Sequence, residues 1–317
     1  MRGNSAFMRI ARTLLLTFVV LLMLCEAFLR FALGLGNPIL IAPDQACGYI
    51  IKPDQDVFRF LVHTRINHYG MRSDPIAPVK PAGSLRILFV GDSITYGTTR
   101  VDQEKIFSEM IHRELPAIVH RPVEVLNASA SAWAIDNELA FVRSRGIFSS
   151  DLVLLVLNSG DLTQPRATIA DVGSALPQTQ PATALGELYS RFLRPRILHL
   201  AARADAGTSA VQGRQEVVLR NLEDLDELWR LVSDGGARLA IIYIPFRHEV
   251  ADGAARSAPS SLLSWCAGHR VSLLDLTFAE SGNSERDVTL DGGHLNTKGN
   301  ALIARSIESL WPQLSQQ

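Results

Sequence analysis

The chain has 317 residues, of which 47% are hydrophobic and 20% charged, and its formal net charge is −1. This composition excludes an intrinsically disordered protein and predicts a globular one, with one large domain behind an N-terminal appendage. The near-neutral charge gives no support for nucleic-acid binding, which requires a basic patch.

The N-terminal appendage, residues 1–35, is apolar and follows three arginines within the first twelve positions. Its apolar run 14–25 continues to Leu35, interrupted only by Glu26 and Arg30, which lie four apart and can pair on one helix face. Its length approaches the roughly 20 residues that a bilayer requires. Because arginines mark the cytoplasmic side, we predict an uncleaved signal anchor in the inner (cytoplasmic) membrane, with the body in the periplasm. The alternatives are a cleaved signal peptide and a buried helix of a soluble protein.

The three cysteines constrain little. Cys25 lies in the apolar segment, while Cys47 and Cys266 either pair in an oxidising compartment or stay unpaired and buried. No CxxC motif or Cys/His cluster occurs, so we predict neither a metal nor a cofactor.

The body alternates strands and helices. Residues 36–84 predict an irregular juxtamembrane linker with at most a short strand. Five near-continuous apolar strands separated by helices then predict an α/β fold, with a parallel sheet covered on both faces. The predicted strands are 85–90, 123–128, 151–157, 238–245 and 271–276, and the predicted helices are 104–115, 135–145, 214–233, 260–267 and 297–311.

A long interruption, residues 162–212, follows the third of these strands. A loop of this length in a compact domain is usually functional or disordered, so it is either a cap that shapes the substrate site or a disordered excursion. Its basic part contains Arg191, Arg194, Arg196 and His199, which we interpret as solvated charge rather than an anion site.

Two motifs point to nucleophilic catalysis. Ser93 follows the first predicted strand, at the sheet edge where functional groups of such folds gather. Asp291 and His294 lie three residues apart near the C-terminus. A serine is a poor nucleophile unless a base takes its proton, and a histidine base needs a partner that fixes its tautomer and stabilises its charge. The neighbouring Asp92 and Asp161 are expected to hold turns and cap helices instead.

Four segments resemble the sequence blocks of the SGNH (GDSL-type) hydrolase superfamily, in the family's order. They are residues 91–95 (GDSIT), 127–133 (NASASAW), 157–161 (LNSGD) and 291–294 (DGGH). An N-terminal anchor followed by residues 65–72 (RINHYGMR) also resembles a membrane-anchored bacterial branch of that superfamily. The resemblance covers nearly the whole body.

The resemblance implies a flavodoxin-like three-layer α/β/α fold with a five-stranded parallel sheet, here a hydrolase domain over residues 85–317. It also implies an esterase or acyl-transfer reaction. Ser93 would attack an ester carbonyl, and His294 would take its proton and return it to the leaving alcohol. Asp291 would orient His294 and stabilise its imidazolium.

The oxyanion hole departs from the family's pattern. The family places its donors on the serine N–H, a glycine N–H and an asparagine side chain. Here Ala132 replaces the glycine, a mild change unless the site requires a positive φ. Gly160 replaces the asparagine, so a side-chain donor is missing. Ser93, Ala132, the Gly160 N–H and Asn158, two residues before Gly160, are the candidate donors.

Three functions remain open. The first is a membrane-anchored, extracytoplasmic serine esterase that removes an acyl group from a carbohydrate, an envelope component or a small ester. The second is an O-acetyltransferase that uses the same serine. The third is a non-catalytic glycan-binding or assembly module, against which the joint presence of Ser93, Asp291 and His294 argues. Apart from the substrate, the membrane is the predicted partner.

Overall fold

The computed structural model describes residues 2–172, 176–194, 212–246, 258–276 and 285–315. The helices in these ranges are α1 Arg2–Phe31, α2 Ser93–Tyr96, α3 Phe107–Val119, α4 Ile135–Arg145, α5 Ile169–Val172, α6 Ala184–Glu187, α7 Gln212–Asp234, α8 Ser260–His269, α9 Glu285–Val288, α10 Thr297–Ser309 and α11 Trp311–Ser315, with a π-helix at Leu188–Leu193 and short 3₁₀ helices at Gln103–Lys105 and Asp161–Thr163. The strands are β1 Ile41–Asp44, β2 Gly48–Ile51, β3 Gln55–Arg59, β4 Val62–Ile66, β5 Leu85–Gly91, β6 Val123–Ser129, β7 Leu152–Asn158, β8 Arg238–Ile244 and β9 Ser272–Asp275.

Five of the described strands form one parallel sheet, in the order β6-β5-β7-β8-β9. Counted along the chain this order is 2-1-3-4-5, which is the flavodoxin-like topology and confirms the predicted fold class. The registers align the carboxyl ends of the first three strands, since Gly91 is opposite both Ser129 and Val156. Loops that leave these ends therefore meet at one edge.

Alternating side chains of the sheet feed two separate cores. Leu88 and Val90 of β5 belong to one cluster with residues of α4, α7 and α8. Ile87 and Phe89 belong to the other, with residues of α3 and α10. Because successive strand residues point to opposite faces, this alternation produces three layers with the sheet in the middle.

The expectation of an irregular segment over 36–84 is wrong. This segment forms two antiparallel hairpins, β1–β2 and β3–β4. It also packs into the body, because the buried Tyr49 donates a hydrogen bond to Ser131 O at 2.6 Å and the buried Arg72 donates to Tyr96 O at 2.8 Å. Short strands of four or five residues leave too little alternation for the sequence to indicate them. The predicted domain boundaries stay a prediction.

The long N-terminal helix α1 is the candidate membrane span. Within Phe7–Phe31, an 18-residue stretch has a mean hydropathy of 2.3, and only 6% of its residues are buried. By length and composition this helix can cross a membrane. The low burial does not fit a core helix of a soluble protein, whereas a signal sequence near the N-terminus shares these properties. Glu26 and Arg30 form the expected ion pair, at 2.8 Å.

The two cysteines of the body are unpaired. Cys47 and Cys266 are both buried and free, as the second of the two alternatives predicted. Burial raises the pKa of each thiol to about 11, so both stay protonated at neutral pH.

Candidate active site

Three side chains meet at the carboxyl edge of the sheet in a continuous hydrogen-bonded chain. Ser93 Oγ lies 3.0 Å from Nε2 of His294. The other ring nitrogen, Nδ1, lies 3.0 Å from both carboxylate oxygens of Asp291. Ser93 and His294 lie 201 residues apart in the sequence, and the fold brings them together. The order of hydroxyl, imidazole and carboxylate is the one that a nucleophile, its base and the acid that orients the base require.

Local backbone structure presents the serine. Ser93 is the first residue of α2, and the Asp92 carboxylate caps that helix by accepting a hydrogen bond from Ile94 N at 2.8 Å. A Cβ at Gly91 would lie 2.1 Å from Thr95 Oγ1, so this turn requires glycine. Asp92 therefore has the helix-capping role expected from the sequence.

The histidine is held by a short turn between α9 and α10. Thr289 and Leu295 form an isolated antiparallel bridge around it. Asp291 Oδ1 accepts from the backbone N–H of His294 at 3.0 Å, in addition to its contact with the ring. Asn296 then caps α10 by accepting from Gly299 N at 2.9 Å. The acid and the base are thus fixed relative to each other by backbone and side chain together.

The charge of Asp291 suits its place beside the histidine. Burial by itself would raise the pKa of this carboxyl, but hydrogen bonds from the backbone and ring of His294 hold it below the usual value. The carboxylate is therefore ionised at neutral pH and can stabilise a positive imidazole ring.

The backbone of Ala132 is left-handed, with φ at +66°. In this conformation a Cβ raises the free energy of the folded chain. It lines the same cavity as His294. A non-glycine residue in this conformation costs about 1–2 kcal/mol. The replacement of glycine is therefore a strained one, although the backbone N–H is kept.

The other two oxyanion candidates are engaged elsewhere. The Asn158 amide nitrogen donates to Asp92 Oδ2 at 3.1 Å and to Asp161 Oδ1 at 2.8 Å. Gly160 N donates to Asn158 Oδ1 at 2.7 Å. Neither residue therefore offers a free donor in this structure. The amide nitrogen of Asn158 donates to two carboxylates, and the N–H of Gly160 donates to the amide oxygen of Asn158. Of the four candidates, the backbone N–H groups of Ser93 and Ala132 remain, although the Ser93 N–H also faces the Asp92 carboxylate.

A group of buried acids lies beneath the serine. Asp92 Oδ2 is 3.5 Å from Ser93 Oγ, and Asp161 is 1% exposed. Glu138 is 0% exposed, and neither of its carboxylate oxygens has a hydrogen-bond partner among the described residues. Burial first, and then repulsion between these carboxyls, raises the pKa of Glu138 and Asp161 well above the usual value. The sequence concealed this group, since an acid in the first turn of a helix is normally solvated.

A cavity of about 500 Å³ adjoins the histidine. The β3–β4 hairpin contributes Arg59 and Phe60 to its wall, and the π-helix contributes Arg191 and Phe192. The described part of segment 162–212 therefore lines this cavity, and the cap interpretation stays a prediction. The hairpin's contribution was not predicted, because nothing in its local pattern refers to the catalytic edge.

One buried acid ties these two walls together. Glu187 Oε1 lies 2.6 Å from Arg59 Nη2 and 2.9 Å from Arg191 Nη1. Both arginines are thus paired with a buried carboxylate. The expectation of solvated charge is therefore wrong for Arg191, whose side chain is only 20% exposed. Arg196 and His199 lie outside the described residues.

No family model and no curated protein sequence matches the chain. Solved structures similar to it include TesA, at 16% identity over 73% of this chain and 98% of that one, with a TM-score of 0.44. A lipase/acylhydrolase from Enterococcus faecalis is 16% identical over 71% and 96%, with a TM-score of 0.41. Axe2, an acetylxylan esterase from Geobacillus stearothermophilus, is 13% identical over 76% and 98%, with a TM-score of 0.41. At this level of overlap, the similar structures assign no function to the chain. The functional proposal rests on the chain's own site.

Proposed function

We propose that the chain is a membrane-anchored, extracytoplasmic serine esterase that acts on an acyl ester of a carbohydrate or envelope component. The observation that carries this proposal is the hydrogen-bonded chain from Ser93 through His294 to Asp291, with both links at 3.0 Å. The apolar helix Phe7–Phe31 supports the anchor. The choice of substrate follows from the proposed compartment and from the resemblance to SGNH hydrolases.

In the first half of the proposed reaction, Ser93 Oγ attacks the ester carbonyl while Nε2 of His294 takes its proton. The carbonyl oxygen becomes an oxyanion, which the backbone N–H groups of Ser93 and Ala132 stabilise. Collapse of this intermediate breaks the bond to the alcohol, and His294 returns the proton to the leaving oxygen. The product is an acyl-serine.

In the second half, a water molecule attacks the acyl-serine and His294 takes its proton. The acid leaves when His294 protonates Ser93 Oγ, which restores the enzyme. Asp291 stays ionised throughout and stabilises the imidazolium that forms in each half. With one side-chain donor fewer than the family pattern, we expect slower turnover, since loss of one oxyanion donor costs about 10²–10³ in rate.

The test is turnover of p-nitrophenyl acetate by the full-length chain in detergent, together with covalent labelling by a fluorophosphonate. We expect Ser93→Ala to abolish labelling and to lower turnover by about 10⁴-fold or more, because the nucleophile is lost. Ser309→Ala, which changes an exposed serine at the end of α10, is the matched control and should leave both unchanged.

A Ser93→Ala protein that retains labelling and turnover would contradict the proposal. So would a folded wild-type chain that shows neither, and the binding module would then be the better interpretation.

A further inference from the structure

The turn between β3 and β4 contains an unusual pair of residues. Arg59 pairs with Val62, so the loop has only two residues, Phe60 and Leu61. Both have a positive φ, at 52° and 63°. Two-residue turns of this kind favour Asn-Gly, because bulky side chains are strained in the left-handed conformation. The chain instead holds two large apolar residues there.

These residues are also exposed. Leu61 is 77% exposed, Phe60 37% and Phe58 54%. The adjoining π-helix exposes Tyr189 and Leu193, at 58% and 44%. We define these five residues as the apolar rim. A monomeric soluble protein rarely exposes a contiguous apolar patch of this kind, so the rim indicates a partner.

The two parts of the rim are joined to each other. The rings of Phe60 and Phe192 lie 6.0 Å apart in an edge-to-face arrangement. Glu187, the last residue of α6 and the one before the π-helix, binds Arg59 of β3. The rim is therefore one surface, built across two elements that are far apart in sequence.

The rim adjoins the end of the candidate membrane helix. Phe60 N donates to Leu33 O at 2.9 Å, two residues after α1 ends. A Cβ at Gly34 would lie 2.4 Å from Phe58 O, so the two backbones touch. Phe31, the last residue of α1, is 82% exposed. The exposed apolar surface of α1 thus continues to the rim.

Helix α6, which leads directly into the π-helix, is attached to the same end of α1. Glu26 of α1 accepts hydrogen bonds from Ala184 N at 2.8 Å and Leu185 N at 2.9 Å. Leu29 and Leu35 pack with Ala184 in a small core of their own. Both rim elements are therefore held in fixed positions where the chain would leave the bilayer.

We propose that the apolar rim enters the lipid interface beside the anchor helix and holds the active-site cavity against the membrane surface. The inference rests on the membrane anchor of the proposed function. Lipid is the occupant because the exposed apolar surface of α1 continues into the rim, and aromatic residues are enriched at membrane interfaces. The anchor already brings the rim to the bilayer. Since Phe60 belongs to both the rim and the cavity wall, the ester-binding cavity lies beside the headgroups.

The test places an environment-sensitive fluorophore on Leu61→Cys in the full chain, in a Cys25→Ser background. Cys47 and Cys266 are buried, with thiol pKa values raised to about 11, so they escape labelling at neutral pH. The protein is reconstituted in vesicles of phosphatidylcholine and phosphatidylglycerol containing a nitroxide-labelled phosphatidylcholine. We expect the lipid nitroxide to quench the label at position 61 at least about twofold, and aqueous iodide to quench it weakly.

Val79→Cys is the matched control. Val79 is 70% exposed and apolar, but it lies next to Lys80, which binds Asp151 at the opposite edge of the sheet from Ser93. We expect its label to be quenched by iodide and not by the lipid nitroxide. If the labels at 61 and 79 are quenched alike, the rim is in water and the inference is overturned.

A second variant guards against misfolding of the labelled turn. Leu61→Asn removes the apolar tip and suits the left-handed conformation, so the unfolding temperature in detergent should not fall. With the label moved to Tyr189→Cys, we expect Leu61→Asn to reduce lipid quenching about twofold. Unchanged quenching contradicts a shared lipid contact.

Fluorophosphonate labelling of the same preparations separates the two proposals. A reactive Ser93 with an aqueous rim leaves the esterase intact and removes the docking surface. A lipid-contacting rim with an unreactive Ser93 keeps the docking surface and contradicts the esterase. If an alkaline carbonate wash releases the chain from the vesicles, the anchor and the rim both fall, while the reactivity of Ser93 is unaffected.

Discussion

At the scale of single residues, Ala132 is where the site departs most clearly from ordinary backbone geometry. Its φ of +66° places a Cβ in a conformation that favours glycine, and its N–H is one of the two backbone donors that we propose for the oxyanion. The proposed donor is the backbone N–H, which alanine and glycine share, so the strained side chain does not remove it. A substitution at this position can therefore change the free energy of unfolding without changing the rate of turnover.

We predict that Ala132→Gly raises the free energy of unfolding by about 1 kcal/mol, because it relieves the left-handed strain. Esterase turnover should be retained, since the N–H is unchanged. Urea unfolding of the detergent-solubilised chain measures the first quantity, and p-nitrophenyl acetate the second.

Ala130→Gly is the control for this change. Ala130 is 0% exposed, and its φ is not positive. Glycine there should lower the free energy of unfolding by about 1 kcal/mol through the greater freedom of the unfolded chain. Equal destabilisation by both variants would show that Ala132 is unstrained.

At the scale of elements, Glu187 is the joint between the hairpin and the π-helix. Its side chain is fully buried, and it also accepts a hydrogen bond from Gly36 N at 2.6 Å, just after α1. Burial by itself would raise the pKa of this carboxyl, but hydrogen bonds from Arg59 and Gly36 hold it below the usual value. Three elements therefore depend on one negative charge.

We predict that Glu187→Gln lowers the local stability of the cavity wall by about 3 kcal/mol, because it leaves the Arg59 and Arg191 charges without a counter-ion inside the protein. Hydrogen exchange of residues 184–193 should become faster, and trypsin should cleave after Arg191. The KM for esters should also rise, because the segment lines the cavity.

Glu114→Gln gives the comparison for an exposed ion pair. Glu114 pairs with Arg113 at 2.7 Å, but both side chains are about half exposed. Such pairs contribute about 0–1 kcal/mol, so exchange in residues 184–193 should not change. The role of Glu187 as a joint is refuted if the two variants behave alike.

At the scale of the whole molecule, the buried acids beneath the site link stability to pH. Burial raises the pKa of Glu138 and Asp161 in the folded chain, so the folded state binds protons that the unfolded state releases. Their favourable contribution is complete below the unfolded pKa, about 4, and is lost as pH rises toward the folded pKa. Stability should therefore fall from mildly acidic to alkaline pH.

We predict that Glu138→Gln makes the free energy of unfolding less dependent on pH, with the chain more stable than wild type at pH 8. The reason is that glutamine has nearly the shape of the buried carboxyl without its charge. Urea unfolding at pH 5 and pH 8 measures the effect. Glu223→Gln, at an exposed position of α7, should leave the slope unchanged, and an unchanged slope in Glu138→Gln would refute the assignment.

The sequence by itself determined the α/β class, the apolar helix and the bounds of most elements of the body. Helix α4 lies at the predicted residues 135–145, and β5 ends one residue beyond its prediction. These features follow from apolar periodicity, which neighbouring residues carry. The sequence also pointed to Ser93, Asp291 and His294, whose catalytic roles remain our proposal.

The tertiary structure decided what surrounds that site. It leaves Asn158 without a free donor for the oxyanion, because two buried carboxylates accept hydrogen bonds from its amide nitrogen. It placed Phe60 in the cavity wall and joined Arg59 to Glu187, which lies 128 residues away. Such contacts depend on which side chains the folded chain brings together in space, and local periodicity carries no record of that. The position of the cavity relative to the end of α1 is of the same kind, since it comes from packing between elements.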